Sequence, residues 1–192
     1  MTPAAPLGAV VLAGGHGRRL GGAGKASVEV GGETLVAAAV EAVRGANCDP
    51  VLVVTRPDVR LPPLPVPAVT DDPGPAGPLN ALLTGLVRLS TDDAVVLACD
   101  LPFAGPVVAR LAAYPPGSLV VAVDPDGRPQ PLCARYPRQR AVDAARAALA
   151  AGERRVRVWC EGVGAEILHE RAAGEELLNV NTVADLERAR TA

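Results

Sequence analysis

The chain has 192 residues, 49% hydrophobic and 21% charged, with a formal net charge of −2. That composition excludes a wholly disordered chain. With no basic excess and only 2% aromatics, it also argues against a nucleic-acid partner and a base-stacking platform.

At ~150 residues per domain, the length predicts one domain over residues 1–192. The first apolar run breaks at Gly14-Gly15, no lysine or arginine precedes Arg18, and no stretch reaches the ~18 apolar residues of a membrane span. The expectation is a cytoplasmic protein without membrane contact. Cys48, Cys99, Cys133 and Cys160 form no CxxC pair, and His16 and His169 lie far apart. Reduced, buried thiols are expected, and no zinc site.

In chain order, GAVVLA (8–13) predicts a strand ended by glycines. ETLVAAAVEAVR (33–44) sets Leu35, Val36, Ala39, Val40 and Val43 on one helical face. PVLVVT (50–55) reads as a buried strand, followed by a proline-rich connector that cannot be regular helix. Residues 79–89 predict a helix, 94–99 (AVVLAC) a strand, 106–113 a helix and 118–123 a strand. Asp126-Gly127 is a turn signal, and PQPLCARY (129–136) reads as extended. Residues 138–151 predict an alanine-rich helix with Gly152 just past its end. RVRVW (155–159) and ELLNV (176–180) are strand candidates. Thr182 caps a last helix, 183–190, with Asp185 in its first turn. Apolar strands alternating with helices imply an α/β fold, a mostly parallel sheet covered on both faces in a three-layer α/β/α arrangement.

The segment VVLAGGHGRRLGGAGKASVEVGGETL (10–35) carries the chemistry. Its glycines let backbone N–H groups approach a ligand and turn inward, and Arg18, Arg19 and Lys25 add positive charge. Together they suit a polyphosphate. The segment is neither a P-loop, since Arg19 stands where the first glycine would be and Ala26 follows Lys25, nor a dinucleotide fingerprint, since Leu20 stands at the third glycine. About 20 residues link the strand to the next helix, against ~2–6 in an ordinary βα turn. In VVLACDLPF (95–103), Asp100 follows a buried strand where open α/β sheets bind ligands, and its carboxylate suits Mg²⁺ beside nucleotide phosphates. In TDDPGPAGPLNALLTGL (70–86), Asp71 and Asp72 are candidate contacts to a base or sugar.

These segments, in this order, resemble the molybdenum cofactor guanylyltransferases (MobA family), nucleotidyltransferases with a loop like LAGGxSxRMGxDK. The loop is LAGGHGRRLGGAGK in this chain, CDLPF resembles the family's CD-x-P-[FY], and GPLNALLTGL resembles its GPLAG helix start. AGERRVRVW (151–159) and LLNVNTVADL (177–186) are similar to the family's AGERRVxxF and FxNVNTPEEL. Molybdopterin cytidylyltransferases share the first loop but usually end in a D-x-D-T-P variant that this chain lacks. The resemblance spans nearly the whole chain and implies a Rossmann-like, nucleotide-diphospho-sugar-transferase-like fold.

It also implies site residues. Leu12, Ala13, Gly14 and Gly15 would contact the nucleotide, Arg19 and Lys25 its phosphates, Asp71 (or Asp72) the nucleotide, and Asp100 Mg²⁺. Asn179 and Asn181 would lie near the pterin substrate or the metal; Arg154 and Arg155, by their own chemistry, suit the pterin's phosphate or ring system, with a solvated helix-end pair as the rival. Three departures stand out: Gly24 replaces the usual aspartate, Leu20 a methionine and Val183 a proline. The family's guanine-side asparagine falls within Val53–Thr55. The implied reaction joins GTP to the terminal phosphate of molybdopterin, releasing pyrophosphate. Implied partners are molybdopterin-delivering proteins and apo-molybdoenzymes, and a monomer is expected because no long apolar patch forces assembly. The rivals are a cytidylyl or sugar-phosphate nucleotidyltransferase and a non-catalytic nucleotide-binding protein.

Overall fold

The computed structural model describes residues 6–20, 24–74, 77–164 and 168–192. Gly21 and Gly22 of the glycine-rich loop fall outside them.

Strand β1 (Leu7–Leu12) is the hub. Its successive residues point to opposite faces, so Val11 enters one core and Val10 the other. On one side lie β4 (Val51–Thr55) and β5 (Ala68–Thr70). On the other lie β6 (Asp93–Ala98), β8 (Pro129–Pro137), β7 (Val120–Val123) and β9 (Leu168–Arg171). The resulting order is β5-β4-β1-β6-β8-β7-β9. Pairing is parallel except at β8, which runs antiparallel to both neighbours. A register shift between Val121 and Ala122 interrupts the β7–β8 ladder. The sheet is thus mostly parallel, as expected, with one reversed strand inside it.

Helices α1 (Leu35–Gly45) and α3 (Gly105–Ala113) cover one face, burying Val36, Val40, Val107 and Leu111 against Val11, Val53 and Leu97. Helices α2 (Pro78–Leu86), α4 (Arg138–Ala150) and α5 (Val156–Val163) cover the other. Gly85 lets α2 lie close to β1 and β4, because a Cβ there would overlap Val10 Cγ1. A third, smaller core joins Val30 of the short hairpin β2 (Glu29–Val30) and β3 (Glu33–Thr34) to Leu35, Val180 and Ala189 of α6 (Val183–Thr191). This cluster holds the chain's last segment against the glycine-rich loop. Cys48, Cys99, Cys133 and Cys160 are free and buried, and burial pushes the Cys99 thiol up to about 12.

Three expectations are corrected. Residues 155–159 are not a strand but open α5. The alternation in RVRVW is real, yet Val156, Trp159, Cys160 and Val163 also recur at helical spacing, and burying Trp159 and Cys160 under the sheet decides the matter. Residues 176–180 form no strand. They cross the sheet's end as a turn, with Leu178 N–H donating to Glu175 O and Val180 N–H to Asp100 O. The last edge strand is instead β9 (LHER), whose one apolar residue, Leu168, carries no periodic signal. The predicted 33–44 helix starts two residues late, because Glu33 and Thr34 pair with β2 and Thr34 Oγ accepts from Ala37 N–H.

Candidate active site

The carboxyl ends of β5, β4, β1 and β6 open side by side, where ligands of open α/β sheets bind. A cleft of about 260 Å³ lies there, lined by Leu12, Gly14, Gly15, Lys25, Asp71 and Asp100 among others. These six sequence-predicted residues, from Leu12 to Asp100, come together through the sheet order and the fold-back of the loop after β1. Ala13 does not present its side chain. It is buried in the α1/α3 core, its N–H donates to Val54 O at 2.8 Å, and its carbonyl accepts from Thr55 Oγ at 3.4 Å. Its contribution is to place Gly14 and Gly15.

Past Gly15 the loop doubles back, and Lys25 N–H donates to Gly15 O at 3.0 Å. Gly17 (φ +61°) allows that return, since a Cβ there would sit 3.0 Å from Lys25 N. Gly24 has φ +85° with nothing nearer to a Cβ than Val59 Cγ1 at 3.8 Å. Space is ample there, and the backbone conformation is what favours glycine. The departure from the family's aspartate therefore has a local backbone reason.

Lys25, only 9% exposed, is the centre of the site. Its Nζ donates to Asp100 Oδ2 at 2.6 Å and to Asn181 Oδ1 at 2.5 Å. The other carboxylate oxygen, Asp100 Oδ1, is buried with no partner among the described residues. The Val180 N–H to Asp100 O bond (2.9 Å) pins the segment that carries Asn179 and Asn181 around Asp100. A capping box fixes the start of α6: Thr182 Oγ accepts from Asp185 N–H, and Asp185 Oδ2 accepts from the N–H groups of Asn181 and Thr182.

Those backbone bonds, Asn181's above all, hold the Asp185 carboxyl below the usual range. A depressed folded pKa means stabilisation that is full above the unfolded value of ~3.9 and lost as pH falls through the folded one. We expect the C-terminal segment to loosen selectively in acid, below about pH 4. We also expect Thr182→Ala to cost ~1 kcal/mol at neutral pH. Amide exchange of α6 against pH checks both, and uniform protection down to acid unfolding would contradict the first.

The remaining predicted residues divide. Arg19 lies on an outer groove that also contains Gly15, His16, Lys25, Arg56 and Asn181. Asn179 lies in a hollow of about 230 Å³ on the far side of Asp100, with Gln130, Leu132 and Arg157. Arg155 is not among the residues lining these hollows. Its guanidinium grips Glu153, Nη2 to Oε2 at 2.5 Å and Nε to Oε1 at 2.9 Å, and that contact pulls the Glu153 carboxyl down to about 2. Asp71 and Asp72 also separate. Asp71 N–H donates to Thr55 O and the residue lines the cleft, whereas Asp72 is clamped by Arg88 through two bonds of 2.8 and 2.6 Å.

Arg56, directly after β4, lines both the cleft and the outer groove. It is absent from the sequence-predicted site, although its position at the carboxyl end of a parallel strand is a signal that could have found it. Arg157 is likewise an addition that only the structure supplies.

Among the described residues, no group of three or more His, Cys, Asp or Glu side chains gathers as a metal cage, and no helix is long and apolar enough to cross a membrane. Fold and cleft define an α/β protein that binds a ligand beyond the ends of a parallel sheet, with a lysine and a carboxylate at the cleft floor.

Comparison with known proteins narrows this class. Residues 9–168 match the model of the MobA-like NTP transferase domain, and the chain belongs to that family. It is 36% identical over 190 residues to the molybdenum cofactor guanylyltransferase of Cereibacter sphaeroides, covering 95% of this chain and 94% of that protein. Two solved structures share the nucleotide-diphospho-sugar transferase fold. One is the molybdopterin-guanine dinucleotide biosynthesis protein A of Archaeoglobus fulgidus (TM-score 0.72, 22% identity, 95% and 96% of the two chains). The other is 2-C-methyl-D-erythritol 4-phosphate cytidylyltransferase of Thermus thermophilus (TM-score 0.74, 20% identity, 97% and 98%).

Proposed function

We propose that this chain transfers GMP from GTP to the terminal phosphate of molybdopterin, forming molybdopterin guanine dinucleotide and pyrophosphate. The observation that carries it is Lys25 Nζ held between Asp100 and Asn181 at the end of β1 and β6, in a chain of this family. We read residues 1–192 as one domain that holds both substrates.

An acceptor phosphate oxygen attacks the α-phosphorus of GTP. The new P–O bond forms as the bond to the β-phosphate's bridging oxygen breaks, and pyrophosphate leaves with that electron pair. The attacking group, a phosphate monoester with a second pKa of ~6, is already ionised near neutral pH. No histidine or cysteine base is therefore required. What the protein supplies is alignment and charge. Leu12, Gly14, Gly15 and Asp71 hold the nucleoside, and Lys25 and Arg19 neutralise the leaving pyrophosphate. Asn181 keeps Lys25 aimed. The acceptor enters from the other side of Asp100, along the hollow of Asn179 and Arg157.

The partnerless, buried Asp100 Oδ1 fits Mg²⁺, which commonly takes one or two carboxylates and completes its shell with water and substrate phosphate. Bound there, the ion would neutralise charge on the phosphates.

Pyrophosphate release with Mg²⁺ and molybdopterin, compared across GTP, CTP, ATP and UTP, tests the reading. GTP-selective release is the expected result. CTP selectivity would move the chain to the cytidylyl reaction, and binding without release would make it a nucleotide-binding protein only.

A further inference from the structure

We propose that Arg56, working opposite Asp71, reads the guanine base and sets the preference for GTP. This deepens the guanylyl reading and rests on it.

The sheet order gives the cleft a direction. Lys25 and Asp100 lie at its β6 end and Asp71 follows β5 at the other; Arg56, after β4, stands between them and also lines the outer groove of Arg19 and Lys25. A nucleotide whose phosphates meet Lys25 places its base toward Arg56 and Asp71. Polar side-chain groups at that end are few. Val53 and Val54 are buried in the sheet, the Thr55 hydroxyl donates to Ala13 O, and Asp72 is occupied by Arg88. Residues 53–55 therefore offer no amide to the cleft, and Arg56 is the next residue.

Its guanidinium is already oriented. Asp58 Oδ1 accepts from Arg56 Nε at 3.1 Å, and among the described residues no acceptor is bonded to its Nη atoms. Its stem lies against the loop, where a Cβ on Gly14 would stand 3.0 Å from Arg56 Cγ. A fork anchored through Nε presents its Nη N–H groups as paired donors.

Guanine offers the matching pattern. O6 and N7 are adjacent acceptors for an arginine fork, and N1–H and the 2-amino group are adjacent donors for a carboxylate. Adenine and cytosine each place an amino group where guanine has O6, so the fork would meet a donor. One carboxylate and one fork together admit two bidentate contacts only with guanine.

The test is equilibrium binding of GTP, 7-deaza-GTP and CTP, with Mg²⁺, to the wild-type chain, Arg56→Ala and Arg56→Lys. 7-Deaza-GTP replaces the N7 acceptor with C–H and leaves phosphates and ribose unchanged. The wild type should bind it on the order of 10-fold more weakly than GTP, the scale of one bidentate base contact. Arg56→Ala should bind both alike, with its CTP affinity nearly unchanged. Arg56→Lys keeps the charge without the fork and should also lose most of the GTP preference. Discrimination against 7-deaza-GTP that survives in Arg56→Ala would overturn the assignment. So would an equal loss of GTP and CTP, which would put Arg56 on the phosphates. A wild type with no preference for GTP over CTP would instead overturn the guanylyl reading itself, and this inference with it.

Discussion

Asp100→Ala and Lys25→Ala should each lower kcat for pyrophosphate release by about 10²–10³-fold, the scale of losing one preorganised charge-stabilising group. The two residues form one unit, with Nζ 2.6 Å from Oδ2 in a largely buried site. Removing Asp100 takes away the buried oxygen that suits Mg²⁺ and leaves the Lys25 ammonium held by Asn181 alone. Removing Lys25 strips the phosphates of their nearest buried cation. Because the partners act together, the double variant should lose little more than the worse single one. Asp100→Asn separates chemistry from folding. It preserves shape and can still accept from Lys25, yet loses the negative charge, so kcat should fall while the melting temperature stays near wild type. Steady-state turnover at saturating GTP, with melting followed in parallel, reads this out. Near-normal turnover in folded Asp100→Ala and Lys25→Ala would remove both from the catalytic site.

Asp93→Ala should cost about 3–5 kcal/mol of stability. Asp93 and Arg135 are each only 4% exposed and meet diagonally across β6 and β8, where Asp93 pairs with Pro137 and Arg135 with Val95. Arg135 Nη2 donates to Asp93 Oδ2 at 2.5 Å, and Nη1 donates to the carbonyls of Ala112 and Tyr114 at the end of α3. The same Asp93 oxygen accepts from Gly117 N–H at 2.8 Å. One ion pair thus ties the reversed strand to its antiparallel neighbour β6 and to the loop before β7. Removing the carboxylate strands a guanidinium in the interior, which is far worse than never having buried a pair. Replacing both partners with apolar residues should restore part of the loss. Urea denaturation of the single and paired variants measures it, and a cost for Asp93→Ala below about 1 kcal/mol, the range of an exposed pair, would show that the pair is not the buried lock described.

Much of this protein was determined locally. The runs GAVVLA, PVLVVT and AVVLAC have one good solution, buried parallel strands, because each is apolar on both faces. The 3.6-residue spacing of Leu35, Val36, Ala39, Val40 and Val43 made α1 legible, and Thr182 with Asp185 announced the start of α6. Glycines with Arg19 and Lys25 marked the loop after β1 as the candidate for phosphate binding, and Asp100 stood at a strand's end, where open α/β sheets bind ligands.

Tertiary structure decided what depends on distant partners. RVRVW satisfies both periods, and the choice fell to helix only because Trp159 and Cys160 find a core against α4 and β8. Asp71 and Asp72 are indistinguishable as neighbours in sequence, and Arg88, sixteen residues on, separates them. Asn181 lies 156 residues from the lysine it holds, and Arg56 and Asp71 line one cleft only because β4 and β5 pair in parallel. Short-range periodicity and capping are written into adjacent residues. A site assembled across strand ends is written into sheet order and register, and those are settled by which faces can be buried together.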